Sequence, residues 1–324
     1  MKSLDEFQRY VGELMDKDDN IAKANEKLTH RKKYNLMIGL GFGLFLPLLI
    51  LAIVLGNVIE NGWVLSIILA ALGLFCAVIF IVGVIKKGSI YSAFAYIESA
   101  YKMKVIEYLF ADMTYSYDRS KYIGLSKFCS GCHVYSGEVD RYKGEDLLKV
   151  NIPNDDKSVS NNWLVMSDLH AQKRVVTRDK DGKTEVHYET IFMGTFGYID
   201  FPYEFQHELY INVYPRGLKK CEKLKLEDVE FNKKFNVYSD DQVEGRYILT
   251  TELMLKLKEL SKLTYFTFEI SENHLYLTLP GAGLFNVMTK SKRLQDGFLK
   301  FYKDYLVIFS IVKEIAGNNK IFKI

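Results

Sequence analysis

The sequence predicts an α+β fold in which a two-span transmembrane helical hairpin precedes a mostly antiparallel β-sheet domain. Residues 36–55 and 63–85 are apolar and carry no charged side chain, and about 20 such residues cross the hydrocarbon core of a bilayer as a helix. Short runs rich in β-branched and aromatic residues begin near Tyr115. Helical spacing occurs before, between and after these runs.

The segment before the membrane, residues 1–35, has the spacing of one amphipathic cytoplasmic helix. Asp18 and Asn25 occupy two positions at which a seven-residue repeat would place apolar side chains. Such a seam is typical of a coiled-coil helix that packs against a partner. The apolar residues of the seam are Leu4, Phe7, Val11, Leu14, Ile21 and Leu28.

The distribution of charge predicts the orientation of the hairpin. Cationic residues close to a span are retained on the cytoplasmic side, and the segment between the two runs carries only Glu60. Both termini are therefore expected in the cytoplasm. A cleaved signal peptide is not expected, because no small-residue cleavage site follows the first run. The flanking cations are Lys27, His30, Arg31, Lys32, Lys33, Lys86, Lys87, Lys102 and Lys104.

A helical pattern continues beyond the second span and predicts a juxtamembrane stalk helix over residues 86–112. Because a hairpin brings its two ends together, we expect this stalk to pair with the N-terminal helix. The residues that carry the pattern are Ile90, Phe94, Ile97, Tyr101 and Tyr108.

Residues 113–324 are expected to form a cytoplasmic α+β domain, a curved sheet or partly closed roll whose strand order the pattern does not define. Asp181 and Gly182 mark one hairpin tip, and residues 271–273 mark a second turn. An inserted helix begins at Thr250 or Thr251, and a C-terminal helix runs from Leu294 until Gly317. The candidate strands are Trp163–Ala171, Glu185–Phe192, Phe196–Asp200, Glu208–Val213, Tyr265–Ile270 and His274–Leu279.

The composition excludes several classes of protein. The formal net charge of the 324 residues is +3, and much of the local excess lies beside the spans, so no nucleic-acid partner is expected. Four cysteines do not form a disulfide framework. The spans contain no ionisable side chain, which argues against an ion pathway.

Cys129, Cys132 and His133 form the spacing C-x-x-C-H, which is used to attach c-type haem and also matches half of a zinc site. Haem is attached outside the bacterial cytoplasm, whereas the charge rule places this segment inside. Cys221 and His170 are isolated in the sequence. We therefore expect two reduced thiols in a loop and no cofactor, with a metal or redox sensor as the alternative.

Polar groups are concentrated in residues 238–246, just before the inserted helix. Asp240, Asp241 and Glu244 have the carboxylates needed to bind a metal or to act as acid and base, and Arg246 has the charge needed to hold an anion. Helix entry is the simpler interpretation, because acidic side chains satisfy the free amides at a helix N-terminus.

Small residues recur four apart in both spans, at Gly39 and Gly43 and at Gly73 and Ala77. This spacing lets helices approach closely in lipid. Two interpretations remain open, packing within the hairpin and association between subunits.

Several sequence blocks in the cytoplasmic part carry a resemblance to a known family. They are residues 140–147 (DRYKGEDL), 191–194 (IFMG) leading to 200–201 (DF), and 226–228 (LED) continuing through Phe231 and Phe235 to 237–250 (VYSDDQVEGRYILT). In these blocks the chain resembles the bacterial family known as domain of unknown function 3137, and Gly245 stands where the resemblance leads us to expect alanine. The resemblance implies a bacterial membrane protein with an N-terminal helix, two spans and a cytoplasmic domain, and it implies no activity.

Taken together, these patterns predict an integral protein of the bacterial cytoplasmic membrane. We expect its cytoplasmic domain to be a non-enzymatic module that binds a protein partner or assembles with its own copies. The alternative is a membrane-bound, metal-dependent hydrolase that uses the acidic segment 238–246.

Overall fold

The computed structural model describes residues 2–58, 63–131, 138–152, 162–178, 182–213, 221–287 and 293–318. The chain divides into two compact units. We call Ser3–Val105 with Lys290–Phe298 the helical unit, and Met1–Lys2, Ile106–Thr289 and Leu299–Ile324 the sheet unit. The secondary structure confirms the predicted α+β class.

The helical unit contains α1 (Leu4–Met15), α2 (Asp19–Thr29), α3 (Arg31–Val58) and the larger part of α4 (Trp63–Leu109). Where the sequence predicts one helix over residues 1–35, the structure has a break after Met15. The Asp18 side chain accepts a 2.8 Å hydrogen bond from the backbone amide of Asn20 and caps α2. An N-cap residue takes extended backbone, here with φ −106° and ψ 107°, and this interrupts a continuous helix.

Polar contacts join the first two helices and the turn between them to the later part of α4 and to Leu294. The Tyr101 hydroxyl donates a hydrogen bond to the Asp18 carboxylate, and the Tyr10 hydroxyl donates one to the carbonyl of Lys104 at 3.3 Å. Asn25 accepts a 3.3 Å hydrogen bond from the backbone amide of Leu294. Asp18 and Asn25, the two polar interruptions of the apolar seam, therefore have specific partners within the helical unit.

Helices α3 and α4 approach closely where glycine removes a side chain. A methyl group at Gly41 would lie 2.7 Å from the backbone nitrogen of Phe80, and one at Gly83 would lie 2.9 Å from Cγ1 of Ile38. Among the described residues, no heavy atom lies within 4 Å of such a group at Gly39 or Gly43. Small residues thus bring the hairpin helices together, but Gly39 and Gly43 are not among them.

The sheet unit contains one antiparallel sheet with the strand order β1-β2-β3-β4-β9-β8-β5-β7-β6. The described strands are β1 (Tyr115–Asp118), β2 (Arg141–Ile152), β3 (Asn162–Arg178), β4 (Thr184–Asp200), β5 (Leu209–Ile211), β6 (Glu222–Lys223), β7 (Val237–Ser239), β8 (Thr267–Ser271) and β9 (His274–Pro280). The helices of this unit are α5 (Leu125–Ser130), α6 (Val229–Lys234), α7 (Glu244–Ile248), α8 (Thr251–Leu263) and the larger part of α9 (Leu294–Ala316).

The predicted strands near β3, β5, β8 and β9 are confirmed, as are the inserted helix α8, with Thr250 as its cap, and the C-terminal helix α9. The separation of Glu185–Phe192 from Phe196–Asp200 is wrong. These residues belong to the single 17-residue strand β4, which passes through Gly194 at φ 147°, a conformation that glycine adopts without a steric cost. The predicted tip residue Asp181 lies outside the described residues.

Both faces of the sheet bury hydrophobic side chains, and one of them also carries a cross-strand row of polar and aromatic residues. One face is largely aliphatic and holds buried side chains such as Val150, Leu164 and Leu277. On the other face, cross-strand register places one residue from every strand in a polar and aromatic row, because directly opposed residues share a face. In sheet order, this row is Ser116, Lys149, Val165, Tyr198, Tyr276, Glu269, Tyr210, Tyr238 and Lys223.

Candidate functional site

The carboxylates of the acidic segment make local structural contacts. Asp241 accepts hydrogen bonds from the backbone amides of Val243, at 2.7 Å, and Glu244, at 2.9 Å, where α7 begins. These two bonds, first that from Glu244, hold the pKa of Asp241 below its usual value. Asp240 accepts a 2.8 Å hydrogen bond from the backbone amide of Glu208 and lies 3.5 Å from the ring of His207.

The remaining candidates of this segment lie on α7. Arg246 donates hydrogen bonds to the carbonyl of Lys225 at 3.2 and 3.4 Å, and Glu244 supplies a first-turn carboxylate. A methyl group at Gly245 would lie 2.9 Å from Oγ of Ser239, so the backbone packs closely against β7 there. In the described part of the chain, no group of three or more His, Cys, Asp or Glu side chains is placed to hold a metal ion.

The described cysteines of the sheet unit lie in different environments. Cys129 is exposed on α5, while Cys132 and His133 lie outside the described residues. Cys221 is partly buried, and its Sγ lies 3.7 Å from Oε2 of Glu208. Burial, together with the charge of Glu208, raises the pKa of the Cys221 thiol to about 12, which keeps the unreactive thiol form at neutral pH.

A groove with a cavity volume of about 310 Å³ lies where β2, β3 and β4 meet the segment after β9. Lys143, His170 and Asn286 supply side-chain nitrogens, and Gly194 and Gly283 lie in its lining without side chains. Burial, followed by the charge of Lys143, lowers the pKa of His170. This groove can accept a small polar group, although its carboxylates from Glu145 and Asp168 make it mixed in charge.

A second groove, of about 440 Å³, lies along the polar and aromatic row of the sheet. Trp163 and Tyr198 form its aromatic walls, and Lys149 and Asp200 supply charge. Burial, followed by the charge of Asp200, raises the pKa of the Tyr198 hydroxyl, so the ring presents a neutral donor. An aromatic groove with charged edges is suited to an amphipathic partner.

The charged edge of the second groove is held by an ordered cluster. Nζ of Lys127 lies 2.6 Å from Oδ1 of Asp200, and Nδ1 of His274 lies 2.7 Å from the same oxygen. Lys127 also lies 4.6 Å from the ring centre of Tyr198 and 5.4 Å from that of Tyr276, within the range of cation–π attraction.

Lys127, Trp163 and His274 have no local sequence signal of a functional role, because they come together through strand register and the placement of α5. Asp200 belongs to one of the sequence blocks that resemble the family, and this was the available signal.

Comparison with known proteins confirms the family resemblance in the second half of the sheet unit. Residues 190–316 match the family model described as Protein of unknown function (DUF3137). The sequence blocks at 191–194 and 226–250 lie inside this match, whereas the block at 140–147 lies outside it. No curated protein matches the chain.

One solved structure with similarity is the crystal structure of the mycobacterial trehalose monomycolate transport factor A, TtfA. The two proteins are 10% identical, and the match covers 45% of this chain and 75% of that chain with a TM-score of 0.24. A similarity at this level carries no inference about the fold or activity of this chain.

Proposed function

We propose that this chain is an integral protein of the bacterial cytoplasmic membrane whose sheet unit serves as a non-enzymatic module for protein interaction or assembly. The observation that carries the proposal is the pair of long, apolar and largely exposed helices α3 and α4. Both are long and apolar enough to cross a membrane, and only 11% of the residues in the most apolar window of each are buried. In water such a surface would be strongly unfavourable.

The ends of the hairpin support this proposal. Arg31, at the start of α3, donates a 3.1 Å hydrogen bond to the hydroxyl of Tyr91 on α4, and its guanidinium lies 5.6 Å from the ring centre. Lys32, Lys33, Lys86 and Lys87 flank the same end. Aromatic and cationic side chains are enriched at the membrane interface, and cations favour the cytoplasmic side.

The sheet unit supports an interaction role rather than catalysis by the acidic segment. Asp240, Asp241 and Arg246 each bond to a nearby backbone group, which accounts for them as structural residues. The aromatic groove, by contrast, presents Trp163 and Tyr198 beside ordered charges, an arrangement suited to a macromolecular partner.

Native mass and elemental analysis of the full chain in mild detergent, from one preparation, test this proposal. We expect a defined homo-oligomer or a stoichiometric complex with another protein. A monomer without a partner would contradict the interaction role. Stoichiometric metal that is lost on changing Asp240→Ala and Asp241→Ala together would instead support the hydrolase alternative.

A further inference from the structure

Strands β3 and β4 extend beyond the rest of the sheet as a two-stranded ribbon, which we call the arm. Their pairing continues to Arg178 opposite Thr184. Strand β2 pairs with β3 only as far as Gln172, and β9 pairs with β4 only from Gly194 onward. The arm therefore consists of residues 173–178 and 184–189, and each strand reaches about 20 Å at roughly 3.3 Å per residue.

The outer edges of the arm present backbone groups that no described strand pairs with. The backbone amide of Arg174 donates a 2.7 Å hydrogen bond to the carboxylate of Asp140, so this amide points away from β4. Amide direction alternates along an antiparallel strand, and the amides of Val176 and Arg178 therefore also point outward. Val176 and Val186 lie opposite each other. Because the Val176 amide points away from β4, the two residues form a non-hydrogen-bonded pair, and the Val186 amide points away from β3.

Beside its unpaired edges, the arm exposes a pair of valines among polar and charged residues. Val176 and Val186 lie directly opposite each other and are 54% and 44% exposed. A two-stranded ribbon has little independent stability in water, and unpaired edges are templates for another strand. A further strand would satisfy the outward amides of Val176 and Val186 and cover both valines.

Charge distinguishes the two edges of the arm. Residues 173–178 of β3 include Lys173, Arg174 and Arg178 and no acidic residue, although the Asp140 carboxylate lies at the base of this edge. The β4 half carries Glu185 and Glu189, and Lys183 precedes the first pair. Like charges directly opposite each other destabilise strand pairing. Pairing of two β3 edges would therefore bring like charges together, whereas pairing of a β3 edge with a β4 edge brings opposite charges together.

We infer that the arm joins a second copy of this chain, with the β3 edge of one copy paired to the β4 edge of the next. Two arms that point in the same direction place these strands antiparallel, with Val176 opposite Val186 of the partner subunit. This inference rests on the proposed assembly function and names the surface for it. Because the contact is short, it depends on the high effective concentration that a shared membrane provides.

Disulfide trapping in membranes tests this pairing. One tagged full-length copy carries Val176→Cys, a second copy with a different tag carries Val186→Cys, and the two are co-expressed and oxidised. We expect a mixed disulfide dimer several-fold above that formed when Leu255→Cys replaces Val176→Cys, because Leu255 is 57% exposed but lies on α8. Opposed strand residues lie within the Cα separation that a disulfide requires.

A chain carrying Val176→Cys and Val186→Cys together provides the folding control, since it should form an intrachain disulfide. If that bond forms and the mixed dimer stays at the Leu255→Cys level while native mass shows an oligomer, the arm is not the interface and the proposed function stands. A higher yield of disulfide dimer from copies that all carry Val176→Cys than from the mixed pair would also overturn the inference. A monomer without any partner in native mass would overturn the proposed function itself.

Discussion

The carboxylate of Asp168 on β3 accepts a 2.6 Å hydrogen bond from the hydroxyl of Thr195, the residue directly opposite it on β4. The same carboxylate accepts hydrogen bonds from the backbone amides of Leu284 and Phe285, both at 3.2 Å. One side chain therefore joins two neighbouring strands to the segment that follows β9, and it defines one wall of the smaller groove.

The close approach of this segment to Asp168 predicts that Gly283→Ala is strongly destabilising. Gly283 has φ 84°, and a methyl group there would overlap with Oδ2 of Asp168. We expect a loss of about 1–2 kcal/mol from the left-handed backbone and a further loss of about 1–3 kcal/mol from overpacking. Thermal unfolding of the full chain in mild detergent, followed by circular dichroism, measures the effect.

Gly182→Ala is the matched control for this prediction. Gly182 has a similar φ of 77°, but no atom of the described structure lies within 4 Å of the added methyl group. It should therefore show only the backbone cost of about 1–2 kcal/mol. Equal losses in the two variants would show that the contact with Asp168 contributes nothing.

Two tyrosines of the sheet unit are expected to respond differently to removal of their hydroxyl groups. The hydroxyl of Tyr305 is buried and has no hydrogen-bond partner in the described part of the chain, whereas that of Tyr117 donates to the buried carboxylate of Asp146. Tyr305→Phe should be neutral or stabilising by up to about 1 kcal/mol, and Tyr117→Phe should cost about 1–3 kcal/mol. The same thermal measurement compares the variants, and an equal loss in both would count against this account.

Packing within the hairpin predicts a difference between neighbouring glycines of α3. Gly41→Ala should lower the melting temperature in detergent, because the backbone of Phe80 would be 2.7 Å from the new methyl group. Gly39→Ala and Gly43→Ala should leave it unchanged or slightly higher, since alanine is the better helix former. Lower stability for Gly39→Ala than for Gly41→Ala would mean that the hairpin packs through a different face.

The capping role of Asp241 predicts a dependence on pH. Its pKa is held below the usual value of 3.8, so ionisation of this group favours the folded state above that pH and the contribution is lost as the pH falls through the lowered pKa. Asp241→Asn keeps a hydrogen-bond acceptor but cannot ionise. The difference in melting temperature between the native chain and this variant should be largest near neutral pH and should vanish in acid, whereas a constant difference would exclude the role.

The elements that depend on local pattern were predictable. The hairpin follows from two long uncharged runs, α8 from Thr250 and the leucines at helical spacing, and β8 and β9 from adjacent apolar runs. Strand β2 was not predicted, because charged residues and Gly144 separate its buried residues. A bulge at Asp146, with φ 64°, also interrupts the alternation of buried and exposed positions.

The candidate sites depend on long-range register and could not be predicted. Asp168 meets Leu284, 116 positions away in the chain, only because β9 pairs with β4. The second groove likewise requires Lys149, Val165 and Tyr198 to align across three strands. The acidic segment was visible in the sequence, and its helix-entry interpretation agrees with the hydrogen bonds of Asp241.

Alkaline carbonate extraction of membranes from cells that express the full chain tests the central claim most directly. An integral hairpin formed by α3 and α4 remains in the membrane pellet after extraction and is released only by detergent, and this is the predicted result. Release of the intact chain into the carbonate supernatant would contradict the account, because a peripheral protein would not require two exposed apolar helices.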